Sequence, residues 1–140
     1  MALCHPAASE SPESLTMPSR ETVEAFVAMV ESNQHDLAIE RFYTEDASMQ
    51  ENLTEPPRQG RDRLVAHERA VLARAATVQT ECVRPVLIDG DTVVIHWIFH
   101  FAFKDGSKRR IEELAHQTWQ GEQVWRERFY YDPAQMKAYV

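Results

Sequence analysis

The chain has 140 residues, 44% hydrophobic and 26% charged with four glycines and seven prolines, which suits one folded core and excludes a collagen-like, fibrous or wholly disordered chain. Fifteen basic against twenty-two acidic residues leave a formal charge of -7, so the basic footprint that holds a polyanion is missing and nucleic acid is not an expected partner. No run of about 18 apolar residues is present to cross a membrane.

Residues 1–18 carry Pro6, Pro12 and Pro18 among serines and lack the basic start and apolar run of an export signal, so they read as a flexible tail ahead of a single domain over 19–140. Ser19 is placed to cap a first helix whose apolar positions Val23, Phe26, Val27 and Val30 recur at helical spacing. Asp36 is expected to cap a second, short helix through Leu37, Ile39, Phe42 and Tyr43, which Glu45 and Asp46 end before a brief strand from Ala47 to Glu51. Pro56, Pro57 and Gly60 mark a turn, and Leu64, Val65, Val71, Leu72 and Ala75 mark a third amphipathic helix. Four strands follow, 78–88, 92–104, 108–119 and 123–131, joined by the short turns Asp89-Gly90-Asp91, Asp105-Gly106-Ser107 and Gln120-Gly121-Glu122, which makes them antiparallel hairpins. Helices followed by a bent antiparallel sheet predict an α+β fold with three N-terminal helices covering one sheet face. Neither Cys4 nor Cys82 belongs to a CxxC pair or a zinc-type cluster, which points to a reducing cytoplasm, and Cys82 reads as a small buried hydrophobe.

Side chains alternate along a strand, so Val93, Ile95, Trp97, Phe99, Phe101 and Phe103 share one face, and this aromatic face is expected to look inward. If the Asp105-Gly106-Ser107 turn pairs Phe103 with Arg109, then Trp97 stands opposite Ala115, Phe99 opposite Glu113 and Phe101 opposite Ile111. The same register turns Gln117 and Trp119 inward, and across the next turn Trp125, Glu127, Phe129 and Tyr131. The result is a cavity with aromatic walls and few polar groups: Glu113, Gln117, Glu127, the Tyr131 hydroxyl and, from the strand after helix two, Glu51. Apolar walls with a few convergent polar groups suit a small hydrophobic ligand.

The helix, then DLAIERFYTEDASM, then Gly-Arg-Asp-Arg-Leu opening a helix, then long strands closing on VWRERFYYD, resemble the nuclear transport factor 2-like superfamily. Within it the chain is similar to the SnoaL-like polyketide cyclase and ketosteroid isomerase-like groups over about residues 19–133. The resemblance implies a cone-shaped α+β barrel, a pocket between sheet and helices, and a homodimer formed through the outer sheet face. It places a carboxylate base at Glu51. The ketosteroid isomerase-like oxyanion donors would fall on Phe26 and near Ala115, and the final-strand aspartate of limonene epoxide hydrolase-like members on Phe129, so none of those three groups carries over.

The candidate catalytic residues are therefore Glu51 or Glu127 as a desolvated general base, with Gln117 or Tyr131 donating to a developing oxyanion. For Glu127 the competing reading is a surface pair with Arg126 and Arg128, and for Glu51 a solvated strand end. Glu113 is the weaker candidate because Glu112 lies beside it. The expected ligand contacts are Phe26, Met49, Trp97, Phe99, Phe101, Glu113, Ala115, Trp119, Trp125 and Phe129. The expected role is isomerase- or cyclase-type proton transfer on a hydrophobic carbonyl compound without a cofactor, the alternative being a ligand-binding or homodimeric interaction module. The register sets His96 opposite His116 and His100 opposite Glu112 on the outward face, but His96 and His100 are about 13 Å apart along the strand, too far to share a metal. His35 and His67 read as solvated helix histidines.

Overall fold

In the computed structural model, residues 17–139 are described, so all but two residues of the expected tail lie outside them. Helices α1 (Arg20–Glu31) and α2 (His35–Phe42) lead into strands β1 (Tyr43–Glu51) and β2 (Arg58–Gln59). Helix α3 (Arg61–Arg74) follows, then β3 (Ala75–Asp89), β4 (Thr92–Phe103), β5 (Lys108–Gln120), β6 (Gln123–Tyr130) and a 3-10 turn at Pro133–Met136. The Ser19 side chain accepts from the Thr22 amide and starts α1, whose Val23, Phe26, Val27 and Val30 are buried. Helix α2 begins one residue before the expected cap: Gln34 holds the cap position without a side-chain bond. Asp36 lies in the first turn, where a carboxylate favours the positive helix end. The helix stops at Phe42 because Tyr43 is already extended, so Glu45 and Asp46 belong to β1 and end nothing.

Only two helices precede the first strands, since α3 comes after β2 and starts from Gly60, whose φ of 98° an L-residue rarely adopts. The six strands run in the order β2-β1-β6-β5-β4-β3, antiparallel except for the parallel β1–β6 pair. Strands β2 and β3 are free edges, so the sheet is open and the expected barrel does not close.

The odd-numbered positions of β4 do face the helices, and Val93, Ile95 and Trp97 pack with Val23, Val27 and Ile39 in one core. Phe101, Phe103 and Ile111 form a second cluster. The β4–β5 register differs from expectation by two residues: Trp97 pairs with Glu113, Phe99 with Ile111 and Phe101 with Arg109. The turn keeps its length but sits one residue earlier than expected, because the Phe103 amide donates to the Ser107 carbonyl and closes the loop over Lys104, Asp105 and Gly106. A shift of two preserves side-chain parity, so the faces survive while the partners change. His96 consequently opposes Leu114 and His100 opposes Arg110, and His96 Nε2 lies 2.7 Å from Glu112 Oε2.

A second irregularity sits between β5 and β6. Thr118 pairs with Arg126 but Trp119 pairs with Val124, leaving Trp125 as an extra bulged residue. Val124 and Glu127 are three apart, an odd spacing that a regular strand would put on opposite faces, and the bulge turns both inward. Trp125 leaves the inner row, with the Arg126 guanidinium 3.8 Å over its ring. The Cys82 thiol is buried and makes no disulfide among the described residues, and no helix among them is long and apolar enough to cross a membrane.

Candidate functional site

Alternate residues of β4 place Trp97, Phe99 and Phe101 in one inward row, with the first two rings near-parallel at 5.8 Å. Between this row and the helices lies a partly open cavity of about 440 Å³, lined also by Phe26 and Ile39 from the helices, Met49 from β1 and Phe129 from β6. That size is ordinary for a small-molecule site.

Glu127 reaches this cavity from β6 and is only 4% exposed. The Tyr43 hydroxyl donates to its Oε1 and the Gln117 side-chain amide to its Oε2 at 2.6 Å. Burial strips hydration from the carboxylate and raises its pKa to about 7, with the two hydrogen bonds opposing the rise and the Glu51 and Glu68 charges adding to it. The Tyr43 hydroxyl is itself held far above its usual range by burial and by Glu127, so it remains a donor.

Glu113 points into the same cavity from β5. Burial, and then the charges of Glu51, Glu127 and Glu68, raise its pKa well above the usual carboxylate range, and no described side chain hydrogen-bonds it to offset this. The shift favours its protonated form, which has an O–H to donate. On the inner face the Ala115–Phe129 pair separates Glu113 from the Gln117–Glu127 pair.

Glu51, the last residue of β1, lies on the cavity wall but is fully engaged. The Tyr131 hydroxyl donates to Oε1 at 2.6 Å and Arg58 Nη2 to Oε2 at 3.0 Å. Burial, followed by the Glu51 hydrogen bond and charge, raises the Tyr131 pKa.

Phe26, Met49, Trp97, Phe99, Phe101, Glu113 and Phe129 line the cavity together with Glu51, Glu127 and Tyr131, whereas Gln117, Ala115, Trp119 and Trp125 do not. Gln117, Ala115 and Trp119 are wholly buried in the core beneath it, and the bulge removes Trp125. The Gln117 carbonyl accepts the Trp119 indole N–H at 2.9 Å and one of its amide protons serves Glu127.

The polar cavity groups that escaped the sequence reading include Tyr43, His35, Arg58, Glu68 and Arg109. His35 is buried rather than solvated, with Nε2 2.8 Å from Thr80 Oγ1, Nδ1 3.7 Å from Glu68 and its ring edge-on to Phe99. Its signal was the α2 periodicity, in which His35, Ala38, Ile39 and Phe42 share one buried stripe. Among the described residues no group of three or more His, Cys, Asp or Glu side chains is arranged to hold a metal ion.

Three helices on one face of a six-stranded, mostly antiparallel sheet, with an aromatic-walled cavity between them, define an α+β pocket architecture. The chain belongs to the SnoaL-like domain family, whose model matches residues 23–127, within the nuclear transport factor 2-like superfamily. A protein with a ketosteroid isomerase-like fold from Catenulispora acidiphila, in complex with trimethylamine, is similar in structure at a TM-score of 0.69 and 17% identity, over 84% of this chain and 89% of that one. A proposed SnoaL-like polyketide cyclase from Jannaschia sp. CCS1 gives 0.70 and 14% over 90% and 92%. An NTF2-like protein of unknown function from Burkholderia pseudomallei gives 0.69 and 12% over 84% and 92%. At these identities the likeness is one of fold. Among curated proteins none matches the chain significantly.

Proposed function

We propose that the protein binds a hydrophobic carbonyl compound in this cavity and moves a proton at the carbon next to the carbonyl, isomerase- or cyclase-type chemistry that needs no cofactor. Glu127 takes the proton as the C–H bond breaks, the electron pair passes to the carbonyl oxygen, and the Glu113 carboxylic acid donates a hydrogen bond to that oxyanion. Return of the proton from Glu127 to a different carbon completes an isomerisation. The observation that supports this is two carboxyl groups lining one cavity in unlike surroundings: Glu127, buried and held by two donors, and Glu113, half-buried with no side-chain donor on it and its pKa raised well above the usual range. Environments that push two acids apart in this way divide base from acid. Each preorganised donor is worth on the order of 100-fold in rate. The trimethylamine held by the Catenulispora neighbour supports a small-molecule role for the fold.

The substrate need not be known to test the base. 5-Nitrobenzisoxazole opens when a base removes its ring C–H proton and the N–O bond breaks to a coloured phenolate, a reaction that desolvated carboxylates accelerate. Turnover above that of acetate, rising with pH through about 7 and lost in Glu127→Gln, is the expected result. No turnover, or turnover indifferent to Glu127→Gln, would leave a ligand holder without catalysis.

Self-association through the outer sheet face belongs to the same proposal. Leu87, Leu114 and Tyr130, which lie outward by register, are exposed by 57%, 46% and 39%, and such apolar surface favours a partner. Sedimentation showing a monomer at every concentration would end that part.

A further inference from the structure

Arg109 lines the cavity from β5, and its Nε is buried without a hydrogen-bond partner among the described residues. Several arginines elsewhere are paired with carboxylates: Arg58 Nη2 with Glu51 at 3.0 Å, Arg69 with Asp36 and Glu40, Arg84 with Glu24. Arg109 instead stands 5.1 Å from the Phe103 ring centroid, while the Arg74 guanidinium stands 5.6 Å from the same ring. Two like charges thus share one aromatic side chain. Burial and then the Arg74 charge press on the Arg109 cation, a state that an incoming anion relieves. Lys104 and Lys108 lie at this end of β4 and β5, while Arg110 beside them pairs with Glu112 at 3.4 Å on the outer face. Asp105 in the turn is turned onto its own Ser107.

We propose that the ligand is an amphipathic monoanion, with a carboxylate-type head on the Arg109 guanidinium and an apolar body along Phe101, Phe99 and Trp97. This deepens the reading of the cavity as a small-molecule site and rests on it. Arg109 and Glu113 are four residues apart on one strand, about 13 Å, so an elongated apolar body places its anion at one and its carbonyl at the other. The end of the cavity at Glu127 disfavours the head, because carboxyl groups already crowd there. A guanidinium in an apolar wall offers a carboxylate two parallel N–H donors, which an ammonium cannot. The buried Nε of Arg58, also without a partner and on the cavity wall, is a second donor open to a polar group of the ligand.

Two dyes with one ring system test this. 8-Anilinonaphthalene-1-sulfonate carries an anion and N-phenyl-1-naphthylamine does not. At low salt the wild-type protein is expected to bind the sulfonate about tenfold or more tighter, the range of a charge-assisted contact. Arg109→Met is expected to bring the two within about twofold by weakening the sulfonate alone, and Arg109→Lys to restore part of the preference. Unchanged binding of the neutral dye reports an intact cavity. Equal affinities in the wild type, a preference that survives Arg109→Met, or equal loss of both dyes would each overturn the proposal. Glu127→Gln is expected to keep the sulfonate preference, so failure of proton transfer and failure of the anion site give different results.

Discussion

Gln117 Nε2 donates to Glu127 Oε2 at 2.6 Å while Gln117 Oε1 accepts the Trp119 indole N–H at 2.9 Å. An indole nitrogen only donates, so Trp119 fixes which end of the Gln117 amide faces Glu127. In the proposed reaction Gln117 is a positioning residue, because it holds the Glu127 carboxylate from outside the cavity lining. Gln117→Leu removes one of the two bonds that favour ionised Glu127 and orphans the Trp119 N–H. The pH midpoint of 5-nitrobenzisoxazole turnover is expected to rise by about one unit and the unfolding free energy to fall by about 1–3 kcal/mol. An unmoved midpoint with lowered stability would reduce Gln117 to packing.

Glu127 also ties stability to pH. Its pKa in the folded state is about 7, above that of an unfolded glutamate, so the folded chain holds a proton that the unfolded chain releases. The stabilisation is fully present below about pH 4.5 and is lost as pH rises through about 7, to a total of about 3 kcal/mol. Glu113 acts in the same direction. Urea midpoints are expected to be lower near pH 8 than near pH 5 in the wild type, with a smaller drop in Glu127→Gln. The glutamine fits the site, since its oxygen accepts from Gln117 and its amide donates to the Tyr43 oxygen, whose hydroxyl rotates. Equal drops in both proteins would assign the pH dependence elsewhere.

The β5–β6 turn is pinned to the start of α1. Glu122 accepts from the Ser19 amide at 2.6 Å, the Ser19 hydroxyl at 2.7 Å and the Thr22 hydroxyl at 2.5 Å, and these bonds lower its pKa, the Thr22 hydroxyl first. The site is exposed, so Glu122→Ala is expected to cost about 0.5–1 kcal/mol. Its signature would be faster amide exchange in the first turn of α1 with the Glu127 pH effect unchanged.

Strand alternation in Thr92–Phe103 was legible because six apolar side chains at every second position leave one inward face, and a two-residue register error kept that face while changing every partner. Glu113 was discounted because its neighbour Glu112 made a one-residue slip costly, yet the shift that occurred was even. The bulge at Trp125 has no signature in VWRERF, where Trp125 reads as the better inward residue than Val124. Tyr43 was lost by extending α2 too far, since a tyrosine satisfies a helical stripe as well as a strand start. Arg109 already stood at an inward position of the expected register, but a strand-end arginine beside a Gly turn reads as solvated until its burial is seen. The side-chain bonds around Glu127 join residues 10 and 84 positions away, and no local pattern encodes them.

Sequence reasoning left Glu51 and Glu127 as equal candidates for the base, and the proposal favours Glu127 because of the kind of donor on its oxygens, two neutral groups against a hydroxyl and a cation on Glu51. Both Glu51 oxygens are taken, one by Tyr131 and one by the Arg58 cation, and removing a proton from carbon through them would break an ion pair at the moment charge is lost. The donors on Glu127 are neutral, and the carboxylate is buried, so taking up a proton relieves its desolvation. Glu127→Gln is therefore expected to lower 5-nitrobenzisoxazole turnover by about 100-fold or more, and Glu51→Gln by less than about tenfold through loosening of Arg58 and Tyr131. Tyr131→Phe should resemble Glu51→Gln, because it disturbs the same cluster without touching Glu127. The reverse order, with Glu51→Gln the more damaging, would move the base to the end of β1 and make Tyr131 part of the catalytic group.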